Sequence, residues 1–319
     1  MNDYAALPMT IRKLLFALVA GAFAVSACDF FNRTSAQVQA RKVIAATVAH
    51  LPAIEVRQEA IAGLDASFPF FDGGFTFDGG FPFDAGIFNF DGGGSITLPP
   101  QTVVFAFFGT RNGEGLEQSA PTPIEGATMT IQLKGGAELA LKDQGGGTFS
   151  LTSAEEKSLV YKDNGDFVFT AKADGQAFVG LVESVPAPER IAAFRPNGSS
   201  FIDQAANTDF TFARPDPPNG QERHLAFVAV VPINRDGSRG TLTYSNEPKT
   251  PLGLLKLAIA PSEWKRTTVT VPGMAFPEKD RNYLIIMQSA KLGRPDSDNL
   301  FLGSALIAGT ADVGIVKTR

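Results

Sequence analysis

Cys28 is the only cysteine in a chain of 319 residues, so all thiol chemistry available to the protein rests on one side chain. It closes the run Val25-Ser26-Ala27-Cys28, behind an apolar stretch from Leu14 to Val25 that follows Arg12-Lys13. A single thiol rules out an intramolecular disulfide and any zinc site built from cysteines. The two histidines, His50 and His224, have no second histidine at i+3 or i+4, so the spacing of a zinc protease is missing. Gly237-Ser238-Arg239-Gly240 lacks the spacing of a nucleophile elbow, and neither a Walker loop nor a dinucleotide fingerprint occurs. Asp216 with Glu222, and Asp296 with Asp298, fall in Pro/Gly-rich loops where carboxylates ordinarily serve as solvated turn residues. A glycosidase needs no local motif for its two carboxylates, so a carbohydrate-active hydrolase remains a minor alternative to a non-catalytic protein. Asp72, Asp78, Asp84 and Asp91 recur in six-residue units, and carboxylates in series suit calcium, which takes six to eight hard oxygen ligands. Their spacing matches neither an EF-hand loop nor the nonapeptide calcium repeat, so they are weak metal candidates, and no other cofactor is expected.

A basic start, a short apolar core and small residues before a cysteine together resemble the signal of bacterial lipoproteins. The apolar stretch is short of the roughly 20 residues that cross ~30 Å of hydrocarbon. The resemblance implies that residues 1–27 are a signal peptide that is removed, and that Cys28 becomes an acylated N-terminus carrying palmitate-type chains. Each buried methylene of such a chain contributes about 0.8 kcal/mol, so two or three chains hold a soluble body on a bilayer. The implied location is the bacterial cell envelope, anchored to a membrane by the lipid on Cys28. Asp29 resembles an inner-membrane retention signal, and the choice between inner and outer membrane stays open.

The formal net charge is −5, without the basic face that a nucleic-acid partner requires. Behind the signal, residues 28–66 read as a helical stalk. Thr34 and Gln37 have capping-box spacing, and Ala40, Val43, Ile44, Thr47, Val48 and Leu51 form one apolar stripe at helical period. Residues 67–96 form a linker rich in Phe, Asp and Gly, with units such as Phe71-Asp72-Gly73-Gly74 and Phe77-Asp78-Gly79-Gly80. It reads as a flexible tether, a sticky aromatic contact segment or a calcium site.

From residue 97 onward short apolar or alternating runs are separated by Gly, Asn and Asp, the pattern of an all-β protein. The expected architecture is two β-sandwich domains, residues 97–186 and 187–319, divided at the stiff Pro186-Ala187-Pro188. Asp174-Gly175 predicts a two-residue hairpin turn. Ile191–Phe194, Asp209–Phe212, Leu225–Val231 and Tyr283–Met287 are among the strands expected in the second domain. The segment Asp143-Gln144-Gly145-Gly146-Gly147-Thr148-Phe149-Ser150-Leu151 resembles the turn and strand of immunoglobulin-like repeats. Thr267–Pro272 followed by Asn282–Ile285 resembles the late strands of fibronectin type III-like modules. Trp264, the sole tryptophan, is expected to plug a core or an edge.

These features point to a membrane-tethered envelope lipoprotein that presents β-sandwich modules for binding or adhesion, with an envelope protein or a glycan as the partner. The alternative is a structural or accessory subunit of an envelope assembly.

Overall fold

The computed structural model describes residues 36–57, 95–112, 119–196, 201–217, 222–234, 240–247, 257 and 260–319. Cys28, Thr34 and the calcium candidates Asp72, Asp78, Asp84 and Asp91 lie outside the described residues. The described chain is mostly β. Its strands are β1 (Lys42–Leu51), β2 (Ile54–Arg57), β3 (Ser95–Leu98), β4 (Gln101–Asn112), β5 (Ser119–Pro123), β6 (Thr128–Leu133), β7 (Glu138–Ala140), β8 (Lys142–Gly145), β9 (Thr148–Thr152), β10 (Phe167–Ala173) and β11 (Gln176–Val182). There follow β12 (Ile202–Gln204), β13 (Phe210–Ala213), β14 (Leu225–Ile233), β15 (Tyr244–Ser245), β16 (Thr268–Val271), β17 (Asn282–Leu292), β18 (Arg294–Pro295) and β19 (Ala305–Thr318).

The stalk expected over residues 28–66 is not helical where it is described. One helical turn at residues 36–39 precedes β1, and β1 is a central strand, parallel to β19 on one side and antiparallel to β4 on the other. The apolar stripe fits both periods. Val43, Ile44, Thr47 and Val48 are β-branched, which favours a pleated strand, and Ile44, Ala46 and Val48 alternate into one core. Pairing on both edges decides between the two periods, because an isolated helix of this length gains little by itself. The capping box expected of Thr34 and Gln37 falls partly outside the described residues; the Gln37 side-chain amide donates to the carbonyls of Pro295 (3.5 Å) and Ser297 (3.3 Å).

The Phe/Asp/Gly segment also takes a different place from the one expected. β2 and β3 pair antiparallel, from Ile54 opposite Leu98 to Arg57 opposite Ser95. The described residues on either side of 58–94 are therefore paired on one ribbon, after β1 and before β4, whereas the linker is expected to precede the strands.

A ten-stranded sheet in the order β15-β14-β17-β19-β1-β4-β9-β8, with β12 also paired to β19 and β5 to β4, organises the molecule. It contains strands from both sides of residue 187, so the two expected sandwiches share one sheet instead of closing separately. β19, at about 45 Å for its 14 residues, is the shared spine. Its first part, through Leu306 and Ala308, joins β1, β4 and β9 over a core closed by β6, β10 and β11 of a five-stranded sheet. Its far part joins β14 and β17 over a second core, closed by Phe210 and Phe212 of β13, Val269 and Val271 of β16, and Phe194. Ile191–Phe194, expected as a strand, contains a 3-10 turn at Ala192–Phe194. Phe194 is drawn against Phe212, with ring centroids 5.1 Å apart.

The turns behave as their residues require. Asp174 and Gly175 both have positive φ, at 52° and 72°, and connect β10 to β11 in the primed turn that matches strand twist. Trp264 donates its ring N–H to the carbonyl of Asn246 at 3.0 Å and packs beside Leu225, Phe227 and Leu257, an edge plug as expected.

Candidate ligand-binding cleft

The stretch joining the two halves is clamped onto the shared sheet by two ion pairs, each with one fully buried partner. Glu189 receives two hydrogen bonds from Arg214, Nε at 2.9 Å and Nη2 at 2.7 Å, and a third from the Ser289 hydroxyl at 2.7 Å. The Arg214 side chain is 0% exposed, and its remaining donors reach the carbonyls of His224 (3.0 Å), Trp264 (3.4 Å) and Arg266 (3.5 Å). A few residues on, Asp312 of β19 accepts from both terminal nitrogens of Arg195, at 2.9 and 2.6 Å, and from the backbone N–H of Ile191 at 2.7 Å. Each pair is bidentate, the geometry in which a buried guanidinium and carboxylate best replace their water. The stiff Pro186-Ala187-Pro188 thus opens a fastened strap, and the carbonyl of Ala187 itself accepts from Thr310 at 3.3 Å.

Beside this strap, at the junction of the halves, lies a cleft of about 550 Å³. Asn164 and Ser184 line it from the first half, and Glu222, Arg223, His224, Pro261 and Lys265 from the second. Leu225, Leu257, Ala290 and Leu292 give it an apolar floor, with Lys291 beside them. Local structure explains the placement. Leu225 opposes Ala290 where β14 meets β17, so His224 and Lys291 follow as the next cross-strand neighbours. Asn164 and Ser184 both occupy the left-handed region, with φ of 57° and 51°. That conformation is common for Asn but uncommon for Ser, and residues held in it concentrate at functional sites. The backbone N–H of Ser184 is fixed by Asp166 at 3.0 Å, which keeps the residue at the lip of the cleft.

Arg223, Lys265 and Lys291 face a single lining carboxylate, Glu222. Lys265 pairs with Glu222 at 2.6 Å, while Arg223 pairs with Asp216 at 3.1 Å and donates to the carbonyl of Pro215 at 2.7 Å. The loop carboxylates Asp216 and Glu222 are thus each drawn to a cation. Asp296 likewise accepts from Arg294 at 3.4 Å. Burial lowers the pKa of His224, and the positive charges of Lys291, Arg214 and Lys265 lower it further against the opposing pull of Glu189.

Of the residues singled out in the sequence, His224 and Glu222 come together here. His50 lies elsewhere, in β1, stacked on Tyr161 with ring centroids 5.3 Å apart and its Nδ1 3.2 Å from the Thr102 hydroxyl. Burial lowers the His50 pKa and raises that of Tyr161. Lys265 and Lys291 carry no sequence signal at all, because the cleft draws on segments far apart in the chain. Among the described residues no group of three or more His, Cys, Asp or Glu side chains is placed to hold a metal ion, and no helix is long and apolar enough to cross a membrane. No protein-family model matches the chain, and no curated protein matches it.

Proposed function

We propose that the chain is a lipid-anchored, non-catalytic binding protein of the bacterial envelope, held by Cys28 and taking its ligand, a glycan or an envelope protein, in the junction cleft. The observation that carries the reading is the cleft itself. It is lined from both halves, its floor is apolar and its rim polar, and its volume lies in the range of ligand pockets, about 300–1,000 Å³. The immunoglobulin-like and fibronectin type III-like resemblance belongs to the same reading. What supports it is the packing of two β-sheets over a common core and the Gly145-Gly146-Gly147 turn into β9, where all three glycines have positive φ.

The position of β1 constrains the tether. Seven residues separate Cys28 from Ala36, where the described body begins. Eight Cα–Cα steps reach at most about 28 Å even when fully extended. A lipid on Cys28 therefore holds the body close to the bilayer, with no long stalk. At that end Leu302 donates its N–H to the carbonyl of Gln37 at 3.0 Å, beside Val38, and Val38 and Leu302 are exposed apolar side chains. The cleft lies about 20 Å further along the sheet, since Lys291 is level with Ala308 and Ala308 with Val48. Its mouth is thus set off from the anchored end.

Growth with a labelled palmitate analogue tests the anchor. The native chain is expected to take up label and partition with membranes, whereas Cys28→Ser takes up none and moves to the soluble fraction. Equal partitioning of the two forms contradicts the anchor. The alternative of an accessory subunit draws on one observation: the β2–β3 ribbon presents residues 58–94 from the body, as a docking segment would be presented.

A further inference from the structure

We infer that the junction cleft recognises an oxyanion on its ligand, a carboxylate or a phosphate, through Lys291 and Lys265. The inference rests on the reading of the cleft as the binding site and names the chemistry of what it takes.

The protein is acidic overall, with a formal charge of −5, yet the cleft gathers Arg223, Lys265 and Lys291 against one carboxylate. A concave wall of one sign, backed by apolar side chains, concentrates counter-ions of the other sign. The three cations are not equally committed. Arg223 is held by Asp216 and the Pro215 carbonyl, and its side chain is 10% exposed, so it is occupied in the loop. Among the described residues Lys265 is paired only with Glu222, a carboxylate that is 81% exposed. Such a surface pair is weak and open to exchange, so an incoming oxyanion can replace Glu222 on Lys265. Lys291 makes no ion pair among the described residues, although it lies beside the cleft's apolar floor.

The same lysines act on two neighbours in the cleft. His224 is pushed toward its neutral form by burial and then by Lys291, Arg214 and Lys265. Glu222 is held in its charged form by Lys265 first, with Lys291 adding to it. An oxyanion between Lys291 and Lys265 would neutralise that field, and the short polar side chains of Asn164 and Ser184 on the opposite wall suit the remainder of a hydroxylated or peptidic ligand.

The test titrates inorganic phosphate and, separately, glucuronate into the full chain in detergent at constant ionic strength, with chloride as the control. Nuclear magnetic resonance follows the His224 ring and the amides of residues 222–225 and 290–292. Expected are saturable shifts with at least one of the two anions and none with chloride. Lys291→Glu should weaken the constant at least tenfold, Lys265→Glu should weaken it less, and Lys291→Arg should keep it within about threefold. Saturation by phosphate alone identifies a phosphate ligand, and saturation by glucuronate alone a carboxylate. Non-saturating shifts with both anions, or a Lys291→Glu variant that is folded and binds unchanged, overturn the inference. If neither anion binds while a cross-linker in the cleft still captures a ligand from the envelope, the oxyanion falls and the binding reading stands.

Discussion

Glu189→Ala is expected to destabilise the protein by about 3–5 kcal/mol, among the largest effects of any single side-chain removal in the fold. The reason is the partner left behind. Arg214 is fully buried, and Glu189 is the only carboxylate that its guanidinium contacts among the described residues; the other acceptors are backbone carbonyls. Without Glu189 the charge stays in the interior with partial dipoles alone to balance it, and the Ser289 hydroxyl loses its acceptor. Equilibrium urea unfolding checks the expectation as a lower midpoint. Glu189→Gln should fall between the two, because it keeps the shape and the acceptor oxygen but not the charge. A midpoint unchanged by Glu189→Ala would mean that the strap between the halves is not held by this pair.

Ala46→Asp is the second large effect, and it discriminates between two readings of the same residues. In a helical stalk Ala46 is off the apolar stripe and a carboxylate there is harmless. In the structure Ala46 is 4% exposed, opposite Ala106 on one side and Leu306 on the other, in the first core. An unpaired carboxylate at that position costs several kcal/mol, enough to remove most of the stability of an ordinary domain. Thr47→Asp, one residue along and on the opposite face of the sheet, is partly exposed and should cost much less. Circular dichroism and thermal melting of the two variants read the difference. Equal, mild effects would restore the stalk.

The sequence announces strands well where turn residues bracket them. β10 and β11 flank the Asp174-Gly175 hairpin turn, and β9 follows the Gly145-Gly146-Gly147 turn, as the sequence predicts. β1 is not legible, since its apolar positions satisfy a helical and a pleated period at once, and only β19 and β4 on either side decide. The far part of β19 is masked for another reason: Asp312 and Gly314 interrupt an otherwise apolar run. A buried aspartate in a central strand looks like a loop residue until Arg195 and the Ile191 N–H are seen to satisfy it. The same long-range pairing hides the shared sheet behind Pro186-Ala187-Pro188, which reads locally as a boundary. The cleft is the least legible part. Its cations come from the residues after a 3-10 turn, from the end of β17 and from the lead-in to β14, and nothing but the register between strands brings them together.

The chemistry at Cys28 and that in the cleft address different questions, one of place and one of partner, and the tertiary structure links them through β1. With the lipid proposed at Cys28, only seven residues precede the described body, and its central strand β1 leads through the first core toward the cleft along one sheet.

The claim that this cleft holds the ligand of a membrane-tethered body is tested most directly by site-specific photo-cross-linking in the native envelope. A photoreactive residue replacing Ser184 at the lip of the cleft is compared with one replacing Asp143 on the exposed edge strand β8. The account predicts a discrete adduct from position 184, reduced when Lys291→Glu is added, and none from position 143. Absence of an adduct at 184, or equal capture at 143, would contradict it.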